Sequence, residues 1–264
     1  MRLWIRLIGI CLCALAAGAP AGVAIAGSTR SMTAEIRHRL RERAPSADDR
    51  YFEAALRVVG EVPRERFVPN EERRHAFAPF RSLPIGYDQT ISDPYIVAVM
   101  TAALRLPSGA SVLDVGTGSG YQAAVLAAMG SRVTSIEIVP ALAQQARVRL
   151  AGLGYVVDVR QGDGFAGAPD KAPFDGILVA AGADKVPAPL LAQLRNGGAL
   201  IMPVGPSAFQ ERLIVYRKAN DGTLSRCDLG WVMFVPLTGA GERPRSMAGL
   251  EDRSIPLCYG AEIG

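Results

Sequence analysis

The stretch Leu113-Asp-Val-Gly-Thr-Gly-Ser-Gly-Tyr121, LDVGTGSGY, sets an acid and three alternating glycines between a short apolar run and a helical pattern. Glycines at that spacing let the backbone turn sharply and let a ligand approach the main chain without meeting a Cβ. In open α/β sheets such loops stand at the carboxyl ends of strands, where ligands bind. A dinucleotide fingerprint needs glycine or alanine at the sixth place of the motif, and here that place is Tyr121. Asp114, just ahead of the glycines, sits badly with a pyrophosphate and well with an ammonium or sulfonium.

Working outward, apolar runs at 111–115, 132–137, 156–160, 176–180 and 199–204 are separated by helical stretches at 121–129, 140–150 and 187–194. Strand and helix in strict alternation predict a parallel sheet covered on both faces, because parallel neighbours need crossover connections. The end differs. Runs at 212–216 and 231–237 flank Asn220-Asp-Gly222, a turn signal, so the sheet is expected to close with an antiparallel pair. The prediction is an α/β fold with a doubly wound, mostly parallel seven-stranded sheet and an antiparallel last strand pair.

Ahead of the sheet, 32–60 reads as an N-terminal helical segment, with Ile36 and Leu40 four apart and Phe52, Leu56 and Val59 on one face. Asp48 and Asp49 mark a helix start within it. Val62-Pro-Arg-Glu-Arg-Phe-Val-Pro69 is proline-bounded and irregular. The stretch 83–92, LPIGYDQTIS, reads as a hydroxyl-rich loop, and a helix follows from Pro94 to Leu106 with proline acceptable in its first turn.

Two further acids follow the glycine loop. Glu137 ends the second strand of the alternation, 23 residues beyond Asp114, where a carboxylate can accept both hydroxyls of a ribose. Asp163 lies between Gly162 and Gly164 after the third, within reach of an adenine amino group. Singly, either could be a surface acid or an Asx turn. After three successive strands they describe a pocket for an adenosine carrying a cationic amino acid, S-adenosylmethionine, with Asp114, Gly116, Thr117, Gly118, Gly120, Glu137, Asp163 and Gly164 as its binding residues.

The totals narrow the partners. Arg2 and Arg6 precede an apolar run from Leu7 to Ala26 ending in Ala24-Ile25-Ala26, which reads as a secretory leader cleaved after Ala26. Gly9, Gly18, Pro20 and Gly22 interrupt it, against a spanning anchor. Without those two arginines the formal charge of +4 becomes +2, from 27 basic against 25 acidic residues. The arginine runs at 37–43 and 64–74 are interleaved with glutamates, so they read as solvated faces and not as a nucleic-acid surface. His38 and His75 lie in charged stretches and read as exposed. Cys11 and Cys13 belong to the leader; Cys227 and Cys258 remain with no metal spacing, so no metal is expected. Cys227 ends a hairpin and Cys258 sits in a Pro/Gly-rich tail, which weighs against a disulfide without closing the question.

With these residues in place, the chain resembles the protein-L-isoaspartate O-methyltransferases, within the class I S-adenosylmethionine-dependent methyltransferases. The resemblance runs from about Met32 to Leu237 and rests on VPRERFVP (62–69), LPIGYDQTIS (83–92), VLDVGTGSGYQAAVLA (112–127), GDG (162–164), PFDGILVAAGA (173–183), QLRNGGALIMPVG (193–205) and FVPL (234–237). It implies a Rossmann-like methyltransferase fold and transfer of a methyl group to the carboxylate of an isoaspartyl residue in a damaged protein or peptide. It also implies that Gln89, Thr90, Ile91 and Ser92 border the acceptor, with Ser92 the active-site hydroxyl. The chemistry agrees: a carboxylate is ionised at neutral pH and needs no general base. What remains is alignment by neutral donors and exclusion of water.

The chain departs from the family pattern at Asp88, where glycine is common, and at Ala76-Phe-Ala-Pro-Phe-Arg81, where a Tyr and an Asp are common. Aspartate tolerates the left-handed backbone, but its charge is expected to repel the acceptor carboxylate, so that Asp88→Gly lowers the KM for an isoaspartyl peptide. Three rival readings stand beside the main one: methyl transfer to another carboxylate or hydroxyl, an exported non-catalytic isoaspartyl-binding protein, and a nicotinamide oxidoreductase, which Tyr121 argues against. The expected division is a leader at 1–26, an N-terminal helical segment with the substrate-side loop at 27–93, a methyltransferase core at 94–240 and a loosely ordered tail at 241–264. The chain is expected to be a monomer without a membrane anchor once the leader is removed. Use of the leader implies a periplasmic or otherwise exported protein, and a start at Met32 a cytoplasmic one.

Overall fold

The computed structural model describes residues 25–44, 50–206, 210–242 and 254–259. The leader up to residue 24 and the helix start at Asp48 and Asp49 lie outside the described residues. Helix α1 (Ile25–Arg43) spans the expected cleavage point after Ala26. It buries Met32, Ile36 and Leu40, four apart, as an amphipathic helix does. Helix α2 (Arg50–Glu61) buries Phe52, Ala55, Leu56, Val58 and Val59. Arg37 on α1 reaches Glu53 on α2 with two hydrogen bonds, Nε to Oε1 at 2.8 Å and Nη2 to Oε2 at 2.9 Å. VPRERFVP is irregular as expected, with one tight turn at Arg64–Arg66.

The stretch expected to be a loop is instead a two-residue hairpin, β1 (Leu83–Gly86) against β2 (Gln89–Ile91). Cross-strand partners Leu83 and Ile91 are both buried, which sets the register. The turn residues Tyr87 and Asp88 have φ of 55° and 56°, the positive values that two-residue hairpins require. Asn-Gly usually announces such a turn; Tyr-Asp does not. Helix α3 (Pro94–Leu104) follows, capped by Asp93, whose Oδ1 accepts from Ile96 N at 2.9 Å.

The alternation then unfolds as β3 (Ser111–Val115), α4 (Tyr121–Ala128), β4 (Arg132–Glu137), α5 (Pro140–Gly152), β5 (Val157–Gln161), β6 (Phe174–Val179), α6 (Ala188–Gln193), β7 (Leu194–Val204), β8 (Glu211–Lys218) and β9 (Leu224–Val232). The seven strands lie in the order β5-β4-β3-β6-β7-β8-β9, parallel through β7 and antiparallel in the β7–β8 and β8–β9 pairs. Successive residues enter opposite cores: Val112, Leu178 and Ile201 pack with α1–α4, while Leu113, Ile177 and Leu200 pack on the other face. That two-sided burial is why β3, β6 and β7 read as largely apolar runs. The N-terminal helices share the first of these cores with the sheet, so 27–93 is not a body of its own.

Three expectations need correction. The last strand is not 231–237 but β9, because the turn at Gly222 (φ 86°) pairs Lys218 with Leu224 at once. Beyond Val232 the chain leaves the sheet, and Pro236 has no N–H with which to continue a ladder. The tail from 241 is in part held: Asp228 N donates to Pro256 O at 2.9 Å and Cys258 N to Asp228 O at 2.8 Å. Finally, Cys227 and Cys258 are joined in a disulfide, since this return of the chain lays Cys258 beside β9.

Candidate active site

β3 and β6 are neighbours, but the chain leaves β3 toward β4 and leaves β6 toward β7, so the loops at their carboxyl ends diverge. A crevice opens at such a point. The LDVGTGSGY turn forms one wall. Its glycines at 116, 118 and 120 have φ of 92°, 50° and 90°, values a side chain would strain, which accounts for their alternation. Gly116 N and Thr117 N both donate to Ile136 O, at 2.8 and 3.1 Å, and pin the turn to the end of β4. Glu137 braces it from the same strand end: Oε2 accepts from Gly118 N at 2.7 Å and Oε1 from Val139 N at 2.9 Å.

Asp114 lies beneath the turn and is not part of the crevice wall. It is fully buried, and its Oδ2 accepts from Ser135 Oγ at 2.7 Å, which in turn shares a hydrogen bond with Thr117 Oγ1 at 2.6 Å. Its Oδ1 has no hydrogen-bond partner among the described residues. Burial pushes the carboxyl up to about 7, the Ser135 hydroxyl opposes this and Glu137 adds to it.

The hairpin end, Gln89 to Ser92, lines the same crevice. The hairpin touches the glycine turn, for a Cβ added at Gly118 would lie 3.2 Å from Ile85 Cδ1. Asp88 projects at the exposed tip and lines neither this crevice nor the recess beside it. A third wall is the strap that leaves β9. Gly182 N donates to Val235 O at 2.9 Å, Leu237 N donates back to Gly182 O at 2.8 Å, and Phe234 N donates to the buried Glu211 Oε2 at 2.9 Å.

Of the residues singled out in the sequence, Gln89, Thr90, Ile91, Ser92, Gly116, Thr117, Gly118, Glu137 and Gly164 line one crevice. Gly164 approaches β3 so closely that a Cβ there would collide with Val115 Cγ1. Gly120 stands outside it, at the start of α4. Asp163 also stands outside, with both oxygens engaged: Oδ1 by Phe165 N at 2.8 Å and Oδ2 by Ala240 N at 2.7 Å, so that it fastens the far end of the strap. His38 and His75 pair with Glu42 at 3.3 Å and Glu72 at 3.2 Å and line neither the crevice nor the recess. The sequence reading missed Gln122, Ile138, Ala180 and the strap residues Leu237 and Thr238 as wall. Ala180 and Leu237 stood within quoted motifs, but their position depends on how the chain returns from β6 and β9.

Arg64, from VPRERFVP, is the largest fully buried side chain, and none of its guanidinium nitrogens has a hydrogen-bond partner among the described residues. It stacks 4.8 Å from the centre of the Tyr121 ring, whose hydroxyl donates to Val59 O at 3.1 Å. Burial lowers its pKa, while Tyr121 and Asp93 favour its charge. Among the described residues no cluster of His, Cys, Asp or Glu could hold a metal ion.

The residues present fit an adenosine-bearing donor: bare main chain at Gly116 and Gly118, and the Glu137 strand end in the same wall. Comparison with known proteins points the same way. The family model for protein-L-isoaspartate(D-aspartate) O-methyltransferase matches residues 34–242. Protein-L-isoaspartate O-methyltransferase 2 of Syntrophobacter fumaroxidans is 47% identical over 238 residues, covering 87% of this chain and 95% of that protein. The corresponding protein of Opitutus terrae is 49% identical over 218 residues, with 82% and 92% covered. Among solved structures, a protein-L-isoaspartate O-methyltransferase superposes with a TM-score of 0.66 at 23% identity, over 80% of this chain and 66% of that one. A Plasmodium falciparum β-aspartate methyltransferase bound to S-adenosyl-L-homocysteine gives 0.65 at 21% identity, over 80% and 98%. At those identities the two structures show the fold.

Proposed function

The chain belongs to the protein-L-isoaspartate(D-aspartate) O-methyltransferase family, and from that premise we propose which of its residues carry the reaction. The enzyme transfers a methyl group from S-adenosylmethionine to the carboxylate of isoaspartyl residues in damaged proteins, the first step of their repair. When bound, the donor supplies an electrophilic methyl on a sulfonium.

On this reading the turn at Gly116–Gly118 and the Glu137 strand end hold the donor, and Gln89–Ser92 hold the acceptor. Asp114, Gly120 and Asp163 act on the donor through other groups: Asp114 through Ser135 and Thr117, Gly120 through the exit into α4, and Asp163 through the strap. Ser92 is the residue that orients the acceptor carboxylate, its hydroxyl donating to one oxygen while the other stays free to attack. A neutral donor suits this task, because a cation would hold the electron pair the reaction needs. The strap and Ile91 exclude water, which strengthens that orientation. The observation that carries the proposal is that Gln89–Ser92 and Gly116–Gly118 line the same crevice.

Labelled S-adenosylmethionine, incubated with paired peptides that differ only in Asp or isoaspartyl at one position, tests it. Label on the isoaspartyl peptide alone is expected. Label on both, or on neither while donor binds, removes the acceptor assignment.

The export reading is likewise ours, and the Cys227–Cys258 disulfide supports it, since such bonds persist in oxidising compartments. Fractionation and N-terminal sequencing decide it: a mature chain beginning at Gly27 outside the cytosol is expected, and a cytosolic chain beginning at Met1 or Met32 overturns it.

A further inference from the structure

A second recess opens beside the crevice and shares Thr90, Ser92, Ala180 and Val235 with it, so it continues from the point assigned to the acceptor carboxylate. Its wall mixes polar groups with apolar side chains that include Phe80, Tyr95, Trp231, Met233 and Phe234. Trp231 and Met233 are 49% and 66% exposed on the rim. An extended peptide advances ~3.3 Å per residue. A chain whose isoaspartyl carboxylate sits at Ser92 has this recess within reach of its flanking residues.

The recess also holds a guanidinium. Arg39 stands on α1 with its Cζ 4.6 Å above the centre of the Phe80 ring, and Phe80 packs edge-on against Tyr95 at 5.4 Å. Arg37 and Arg41, its neighbours along the helix, both reach Glu53, at 2.8 and 3.9 Å. Arg39 has no carboxylate within ion-pair distance among the described residues. The one acid in the recess wall, Asp93, spends Oδ1 on Ile96 N and has Arg64 as the cation that lowers its pKa against burial. Arg39 is thus a stacked, oriented cation on an apolar floor, a geometry that favours a planar carboxylate.

We propose that the recess receives the residues flanking the isoaspartyl site and that Arg39 pairs with an acidic side chain there, so the enzyme prefers damaged segments with Glu or Asp within about three residues of the lesion. The inference rests on the assignment of Gln89–Ser92 to the acceptor. It adds a sequence preference to the acceptor side of the site.

The test uses the full chain and three isoaspartyl peptides identical but for Glu, Ala or Lys two residues from the lesion. A half-exposed ion pair is a weak contact, so the Glu peptide is expected to show a KM roughly two- to fivefold below that of the Lys peptide. Arg39→Lys keeps that order, Arg39→Ala flattens it and Arg39→Glu reverses it. The preference also shrinks in 0.5 M salt. Transfer to all three peptides without preference, or an order unchanged in Arg39→Ala and Arg39→Glu, overturns this inference and leaves the acceptor assignment standing. No transfer to any isoaspartyl peptide overturns both.

Discussion

At the residue scale, Ser92 and Asp114 make contrasting predictions. If Ser92 orients an anion, Ser92→Ala removes one hydrogen bond to a charged group, worth about 1.5–3 kcal/mol, and kcat/KM falls roughly ten- to a hundredfold. Equilibrium binding of S-adenosylhomocysteine is expected to stay within twofold; a variant that loses both has lost the fold of the hairpin and not a catalytic contact. Asp114 is a matter of stability. Its native pKa of about 7 lies above the unfolded value, so the folded state holds the proton more tightly. That contribution is complete below pH ~4 and is lost as pH rises through about 7, at about 1.4 kcal/mol per pH unit between them. Asp114→Asn keeps an acceptor for Ser135 and cannot ionise. Denaturant midpoints at pH 5 and pH 8 should therefore converge in the variant relative to the wild type, and equal pH slopes in the two proteins would refute the burial argument.

At the scale of elements, the β1–β2 hairpin shows how a short structure escapes a sequence reading. Its strands are four and three residues long, and its turn is Tyr87-Asp88, both at positive φ without a glycine. Left-handed backbone costs an ordinary residue about 1–2 kcal/mol and aspartate somewhat less. Asp88→Gly is accordingly expected to raise the melting temperature by a few degrees at most. Because Asp88 stands at the exposed tip, outside the crevice, the same variant should leave the isoaspartyl KM within twofold. That replaces the expectation drawn from charge alone, and a several-fold lower KM would restore it. The central strands β3, β6 and β7 were legible because each is buried on both faces, which favours an apolar run, whereas β5 at the sheet edge buries only Val159 and shows a weaker, alternating pattern. The segment 231–237 is equally apolar, but only its start belongs to a strand; the rest is a strap whose apolar side chains serve the crevice.

At the scale of the whole molecule, the described tail is tied to β9 by a bond that closes a 31-residue separation. Constraining the unfolded chain over such a loop is worth about 3–4 kcal/mol. The double variant Cys227→Ser, Cys258→Ser is expected to melt roughly 10 °C lower under non-oxidising handling, at ~2–4 °C per kcal/mol. Reductant should lower the wild type by a similar amount and leave the variant unmoved. A wild type indifferent to reductant would show that the fastening adds nothing to global stability.

Taken alone, the sequence determined the parallel sheet and the glycine turn, while the acceptor role of Gln89–Ser92 came from the family resemblance. Each follows from a local demand: glycine where φ is positive, apolar residues where a strand has two covered faces. Only tertiary structure decided what the three acids do. Asp114 was read as a charge facing the donor, but Ser135, 21 residues away, and the turn above it enclose it. Asp163 was read as an adenine contact, but Ala240, 77 residues away, takes one of its oxygens. Glu137 does line the crevice, yet it also carries the turn through Gly118 N. The same holds for Cys227 and Cys258, and for Arg39 above Phe80. Burial and partnership depend on which distant segments come together, and spacing along the chain does not encode that meeting.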